Sequence, residues 1–245
     1  MATIEEKDRP PRRLSPHIRG HLLQFDPRPW PDYPSGTGAR LLLIAVAIEA
    51  ARIGAVKWLE PLIPLWLLVP LLLGLVLWSV RGVAGLRLSD IQMVPWGQWT
   101  ITEKSYFLQL LMIANIVFPL VLATELRNLF EEPSPLWVLW SVFVPYLFFG
   151  FYQEVVYRGM VQLELVRRWG PFAGILVANL LYTFGPLHSN YFASPPSVSV
   201  PMFTSIFLIG LFFGILFRRS ANLWIVAVSH AIGNSYIVGS LTAQR

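Results

Sequence analysis

The stretch PLWLLVPLLLGLVLWSV, residues 64–80, contains no charged side chain. A helix needs about 20 apolar residues to cross the hydrocarbon core of a bilayer, so this stretch predicts a membrane span. With the apolar blocks on either side, the sequence predicts spans at about 39–58, 62–80, 106–124, 135–157, 171–188, 201–217 and 221–240. The alternation typical of a β-barrel is absent. The predicted fold is all-α, a polytopic transmembrane helical bundle of about seven spans.

Composition supports this fold and excludes several functions. The chain is 55% apolar and only 13% charged, whereas soluble domains carry about 25% charged residues. The net charge of +5 does not indicate nucleic-acid binding, because the basic residues lie between the apolar blocks, where they report topology. The absence of cysteine excludes a disulfide framework, a thiolate metal site and a cysteine nucleophile. No apolar run follows the basic start of the chain, so we expect no cleavable signal peptide.

The distribution of Lys and Arg predicts orientation. By the positive-inside rule, the more basic side is cytoplasmic, which places the N-terminus inside and, with seven spans, the C-terminus outside. That side carries the N-terminal arm and, beyond the arm, the basic residues Arg81, Arg87, Lys104, Arg158, Arg167, Arg168, Arg218 and Arg219. Span 39–58 has two interpretations. Glu49 and Arg52 can pair within a crossing helix, or they mark an amphipathic helix lying in the interface.

Residues 1–36 differ in composition from residues 37–245, the predicted transmembrane helical domain. The first segment is rich in proline and arginine, which favours an extended arm over a packed unit. Two interpretations stay open: a flexible cytosolic tail, or a clamp on a partner or on the membrane surface. The second interpretation predicts a stable membrane complex formed through residues 1–36.

Three polar groups interrupt the predicted spans, where polar side chains are costly and need partners or a function. They are QEVVYRG at 153–159, FGPLH at 184–188 and HAIGN at 230–234. Glu154 and Arg158 are four residues apart and share a helix face, while Phe184 and His188 are expected one helical turn apart. The alternative is a purely structural role, in which these side chains form interhelical hydrogen bonds and have no catalytic function. A serine hydrolase is disfavoured because no G-x-S-x-G elbow is present.

Depth can be estimated by counting from the predicted turn RRWGP at 167–171. At about 1.5 Å per residue, Gln153 and His188 both lie roughly 22–26 Å from that turn. His230 and Asn234 lie one turn apart on the last span, at a comparable depth. We therefore expect Gln153, His188, His230 and Asn234 to meet in one cavity within the membrane.

The order QEVVYRG, FGPLH, HAIGN resembles the CPBP family, which includes the CAAX prenyl proteases and bacteriocin-processing relatives. Its pattern is EExxxR, then FxxxH, then HxxxN, on successive membrane helices, and the resemblance covers about residues 80–240. Each motif alone has low specificity, but three in order at these spacings are specific. The resemblance implies an intramembrane endopeptidase acting on a membrane-embedded peptide or protein. It also suggests a bacterial cytoplasmic membrane.

Roles follow from the resemblance residue by residue. The water-activating position is Gln153, its neighbour is Glu154, and the motif arginine is Arg158. The resemblance implies that His188 and His230 hold or polarise the water and the substrate, and that Asn234 steadies the oxyanion. No cofactor is required by this mechanism. If a metal were bound, His188 and His230 would be its ligands, with zinc the expected ion.

Gln153 departs from the family pattern, which has Glu at this position. A carboxylate takes a proton from water and an amide does not, so the chain as written is expected to be catalytically impaired. Three explanations stay open: an engineered change that traps substrate, a natural pseudoprotease, or another carboxylate acting at a reduced rate. The alternative function is a non-catalytic scaffold or assembly subunit of a membrane protein complex. A transporter is disfavoured, because no paired broken helices are evident.

Overall fold

The computed structural model describes residues 25, 28–130 and 134–242, and this part of the chain contains helices and no β-strand. The α-helices are α1 (Ser35–Trp58), α2 (Leu65–Gly82), α3 (Ile101–Val121), α4 (Ala123–Phe130), α5 (Pro135–Val138), α6 (Val144–Glu154), α7 (Leu163–Phe184), α8 (Pro196–Ser220) and α9 (Leu223–Thr242). Two π-helical segments, Leu139–Phe143 and Val155–Gln162, join α5 to α6 and α6 to α7. Short 3₁₀ helices occupy Leu88–Ile91, Trp96–Gln98 and Pro186–Ala193. The all-α prediction is confirmed.

Apolar length identifies an integral membrane protein. Within the described residues, four helical stretches are long and apolar enough to cross a bilayer: Leu65–Gly82, Ile101–Val121, Leu136–Phe184 and Pro196–Ser220. The last helix contributes a shorter apolar stretch, Leu223–Ile237. In α3 only Glu103 is buried, so the apolar surface of this helix is left for lipid. The count of seven spans and the cytoplasmic N-terminus stay predictions.

The polar stripe of α1 faces the protein interior. Arg52 Nη2 lies 2.9 Å from Glu49 Oε2, and both residues are buried. The Tyr152 hydroxyl of α6 donates to Glu49 Oε1 at 2.8 Å. These partners satisfy the charges inside the bundle, which an interfacial helix would instead leave to water and headgroups. The predicted pairing of Glu49 with Arg52 is therefore present, and α1 packs as part of the bundle.

The predicted turn at 167–171 is formed by a single glycine. Gly170 has φ 79° and ψ 171°, a left-handed backbone conformation that glycine adopts without steric cost. Before it, the chain is helical from Pro135 through both π-helical segments to Trp169; after it, α7 runs back to Phe184. The expected boundary at residue 157 is wrong, because the helix continues without a break into α7.

The other end of this hairpin also differs from the sequence prediction. Helix α7 ends at Phe184, four residues before His188, so the two residues are not one helical turn apart. Gly185 is extended, with ψ −170°, because a residue that precedes proline is disfavoured in the helical region. His188 therefore lies on a 3₁₀ helix beyond the end of α7, while the Phe184 ring packs against Phe203.

Candidate active site

The predicted polar residues come from four neighbouring elements. Gln153 and Glu154 end α6, and Arg158 lies on the π-helical segment that follows. The 3₁₀ helix after α7 carries His188, and α9 carries His230 and Asn234. The contact between α6 and α9 is the most extensive between any two elements of the described chain. This contact brings the first and third motifs together.

Glu154 lies at the centre of the site and is completely buried. Its Oε1 atom lies 2.6 Å from His230 Nδ1, and its Oε2 atom lies 3.4 Å from Arg158 Nε. The predicted pairing of Glu154 with Arg158 is thus present, and a second partner, His230, was not anticipated. Because the Glu154 carboxylate contacts both His230 and Arg158, it fixes the orientation of these two side chains relative to each other.

Arg158 is buried at 2% exposure, so it is part of the bundle interior. Its inclusion among the topology-reporting charges of the loops is therefore wrong. The guanidinium donates from Nη2 to the Gly210 carbonyl at 2.9 Å and lies 4.3 Å from the centre of the Tyr182 ring. These contacts replace part of the water that a charged side chain would otherwise require, while Nη1 is buried without a hydrogen-bond partner.

Gln153 and Asn234 form a direct pair across the α6–α9 contact. The Asn234 side-chain amide donates from Nδ2 to Gln153 Oε1 at 2.9 Å. Gln153 is 4% exposed, which leaves its side chain enclosed by protein. A carboxylate at this position would accept the same hydrogen bond, so the arrangement does not depend on the amide.

The two histidines are connected through Tyr182 of α7. The Tyr182 hydroxyl lies 3.3 Å from His230 Nε2, and the Tyr182 backbone carbonyl lies 2.9 Å from His188 Nδ1. Tyr182 thus joins His188 to His230 and, through it, to Glu154 and Arg158. Gln153 and Asn234 form a separate hydrogen-bonded pair on the same two helices. These two groups together make up the polar cluster at the α6–α9 contact, and Tyr182, which the sequence did not single out, joins His188 to it.

A family comparison covers this same region. A family model described as type II CAAX prenyl endopeptidase, Rce1-like, matches residues 135–236. Residues 135–236 are thus similar to the Rce1-like CAAX prenyl endopeptidases. No curated protein and no solved structure shows a significant match to the chain.

The Rce1-like segment contains all six predicted residues, whereas α1 to α4 lie outside it. Helix α1 nevertheless contacts the segment through the bond from Tyr152 to Glu49. A helix outside the family match thus packs against the matched segment.

The candidate site lacks the set of ligands that a catalytic zinc ion requires. Catalytic zinc sites usually have three protein ligands. Among the described residues, no group of three or more His, Cys, Asp or Glu is placed to hold a metal ion. Of the two predicted ligands, His230 contacts Glu154 through Nδ1 and the Tyr182 hydroxyl through Nε2, so both of its ring nitrogens already have partners. These donors do not fit the zinc site that the resemblance allowed.

An open cleft lies apart from the polar cluster. It has a volume of about 630 Å³ and is lined by Arg81, Arg87, Met93 and Trp224, among others. None of the six predicted residues lines it. This cleft is therefore separate from the polar cluster.

Proposed function

We propose that the chain is an intramembrane endopeptidase homologue in which Gln153 lowers the rate of peptide hydrolysis. The observation that carries the proposal is the hydrogen bond from Asn234 Nδ2 to Gln153 Oε1. It leaves an amide at the position that the family resemblance assigns to the water-activating carboxylate. An amide oxygen does not accept the proton of an attacking water, and general-base catalysis is typically worth about 10²–10⁴-fold.

Glu154 is a poor replacement for the missing base. Its two oxygens face His230 and Arg158, and the side chain is completely buried. Proton transfer to Glu154 would weaken its attraction to Arg158 inside the bundle, where charged groups are strongly dependent on their partners. The remaining groups, His188, His230 and Asn234, keep donors and acceptors that would bind a peptide carbonyl or an oxyanion.

The substrate class proposed for this site is a membrane-embedded peptide, with prenylated CAAX peptides as the first candidates. The family description names a CAAX prenyl endopeptidase, and the candidate site lies on apolar helices. A bacterial cytoplasmic membrane, expected from the family resemblance, is part of the same proposal. The alternative function is a non-catalytic pseudoprotease that acts as a scaffold or assembly subunit of a membrane protein complex.

The test is the substitution Gln153→Glu in protein reconstituted into liposomes, with cleavage of a farnesylated CAAX peptide followed by mass spectrometry. We expect cleavage to rise by about 10²–10⁴-fold over the unmodified chain. The matched control is Gln153→Asn, which keeps an amide and should give no increase. Adding His188→Ala to the Gln153→Glu chain should remove the gain.

Two outcomes would contradict the proposal. One is an unmodified chain that cleaves the peptide as fast as the Gln153→Glu variant. The other is a Gln153→Glu variant that binds the peptide, as shown by photo-crosslinking, and still does not cleave it. The crosslinking measurement separates a wrong reaction from a wrong substrate.

A further inference from the structure

Tyr182 contacts both histidines of the candidate site through different atoms. Its hydroxyl lies 3.3 Å from His230 Nε2, and its backbone carbonyl lies 2.9 Å from His188 Nδ1. The side chain is buried, with 5% exposure. We propose that Tyr182 is a positioning residue that fixes the orientation and the tautomer of both histidines. The inference rests on the proposed function for its catalytic meaning, although the contacts themselves are independent of it.

The backbone contact has a cause in the sequence. In an α-helix the carbonyl of residue 182 accepts from the N–H of residue 186, and residue 186 is a proline, which has no N–H. Helix α7 accordingly ends at Phe184, and the Tyr182 carbonyl is left without its helical donor. His188 Nδ1 takes the place of that donor. Pro186 thus ends the helix and leaves the Tyr182 carbonyl free to accept from His188.

The partners determine which nitrogens carry hydrogen. A backbone carbonyl only accepts, so His188 Nδ1 donates to Tyr182 and Nε2 of the neutral ring is an acceptor. At His230, Nδ1 donates to the Glu154 carboxylate at 2.6 Å, and Nε2 accepts from the Tyr182 hydroxyl. Both rings therefore have the Nδ1–H tautomer. Carboxylate and carbonyl partners set histidine orientation in this way in catalytic sites generally.

The Tyr182 ring is held on two sides, so its hydroxyl has a fixed direction. The Arg158 guanidinium lies 4.3 Å from the ring centre on one face. The Tyr157 ring meets it edge-on, with ring centres 5.4 Å apart. Tyr182→Phe would keep both packing contacts and the backbone carbonyl, and it would remove only the hydroxyl that faces His230.

Two substitutions separate the two contacts. The readout is the tautomer of each histidine by ¹⁵N NMR of histidine-labelled protein in lipid bilayers, without substrate. His188→Gln and His230→Gln variants identify the signals among the four histidines of the chain. Tyr182→Phe should shift the Nε2 signal of His230 and leave His188 unchanged. Pro186→Ala restores an N–H that competes for the Tyr182 carbonyl, so it should mix the tautomers of His188 and leave Tyr182's hydroxyl on His230.

The matched control is Tyr152→Phe. Tyr152 is also buried and also loses a hydrogen bond in this variant, but its hydroxyl donates to Glu49 and not to a histidine. We expect no change in either histidine. The inference is overturned if Tyr182→Phe leaves the His230 signal unmoved, or if Tyr152→Phe moves it equally.

Activity gives a second readout in the Gln153→Glu background. Tyr182→Phe should lower kcat there by roughly 2- to 10-fold, the effect of one hydrogen bond, with little change in KM. If the Gln153→Glu variant fails to cleave peptide while the NMR result holds, the proposed function is wrong and the positioning role stands. If cleavage is restored and Tyr182→Phe changes neither kcat nor the His230 signal, the positioning role is wrong.

Discussion

Glu154 and Arg158 are charged side chains enclosed by the bundle, and each depends on the other. The Glu154 side chain has 0% exposure and the Arg158 side chain 2%. Breaking a buried pair by removing one partner typically costs about 3–5 kcal/mol, because the remaining charge is left without compensation. His230 gives Glu154 a second partner, but it does so through a single N–H at Nδ1 and does not replace the guanidinium.

Arg158→Met is therefore expected to destabilise the protein by about 3–5 kcal/mol, because Met keeps the length of the side chain and loses its charge. The variant also loses the hydrogen bond to the Gly210 carbonyl and the contact with the Tyr182 ring. The measurement is thermal unfolding in detergent, followed by circular dichroism. A large drop in Tm is the predicted result.

Arg168→Met is the matched control for that experiment. Arg168 also pairs with a buried glutamate, Glu164, but its side chain is 37% exposed. Glu164 keeps a second arginine, Arg167, at 2.8 Å after the substitution. Partly exposed pairs contribute about 0–1 kcal/mol. Equal destabilisation by Arg158→Met and Arg168→Met would contradict the interpretation of Arg158 as a buried partner of Glu154.

Among the elements, the contact between α6 and α9 sets the geometry of the site. Gly150 of α6 lies against the backbone of Ala231 on α9, and a Cβ atom on Gly150 would come within 2.6 Å of Ala231 Cα. Backbone atoms cannot yield as a flexible side chain does. Close approach is thus what places Gln153 against Asn234 and Glu154 against His230.

Gly150→Ala is expected to separate the two helices and cost about 1–3 kcal/mol, the range for overpacking. Any activity of the Gln153→Glu chain should fall with it, because the site residues come from both helices. Gly74→Ala is the control, since a Cβ atom on Gly74 in α2 meets no atom within 4 Å. In a helix interior that change should be neutral or stabilising by up to about 1 kcal/mol. Similar Tm losses in the two variants would contradict the prediction.

Hydropathy predicted the elements well but their ends poorly. The predicted third span begins at residue 106, whereas α3 begins at Ile101. Thr100 and Glu103 form a capping box at this helix start. The T-x-x-E pattern is present in the sequence, but hydropathy does not detect it because both residues are polar. The π-helical segment Val155–Gln162 has no comparable local signal, because its geometry depends on the neighbouring helices.

The sequence singled out six polar residues and one of their contacts, the pair Glu154–Arg158, but not the contacts made by Tyr182. Polar residues inside apolar spans are conspicuous, which is why Gln153, His188 and Asn234 could be singled out. Tyr182 was missed because an aromatic residue in an apolar span is ordinary in composition. The available signal was Pro186, four residues after Tyr182, which frees a carbonyl beside a histidine motif.

In the molecule as a whole, residues 28–34 form a strap that crosses the ends of several helices. Arg28 Nη2 lies 2.6 Å from Glu103 Oε2 at the start of α3. The Trp30 indole donates to the Leu163 carbonyl of α7 at 3.2 Å and stacks near Arg218 of α8, whose guanidinium lies 4.7 Å from the ring centre. The sequence predicted an extended segment here, but contacts between residues so distant along the chain leave no local pattern.

The strap changes how the scaffold hypothesis should be tested. Its described residues bind the same chain, so deleting residues 1–36 would remove these internal contacts together with any surface offered to a partner. Residues 1–24 and residues 26–27 lie outside the described residues. A deletion limited to residues 1–24 leaves Arg28 and Trp30 in place, and loss of a copurifying membrane protein in that variant would support the clamp interpretation.

Arg28→Ala is expected to destabilise the fold although the residue lies far from the candidate site in sequence. Glu103 is 1% exposed and accepts from Arg28, from the Thr100 backbone and from Asn222 at the start of α9. Hydrogen bonds to charged groups contribute about 1.5–3 kcal/mol, so the loss should lower Tm measurably. Arg81→Ala, at an exposed arginine in the last turn of α2, should have an effect below about 1 kcal/mol. Because Asn222 directly precedes the helix that carries His230 and Asn234, Arg28→Ala should also raise hydrogen exchange in the first turns of α9. Unchanged exchange there, with Tm lowered no more than by Arg81→Ala, would show that the strap does not stabilise the site helix.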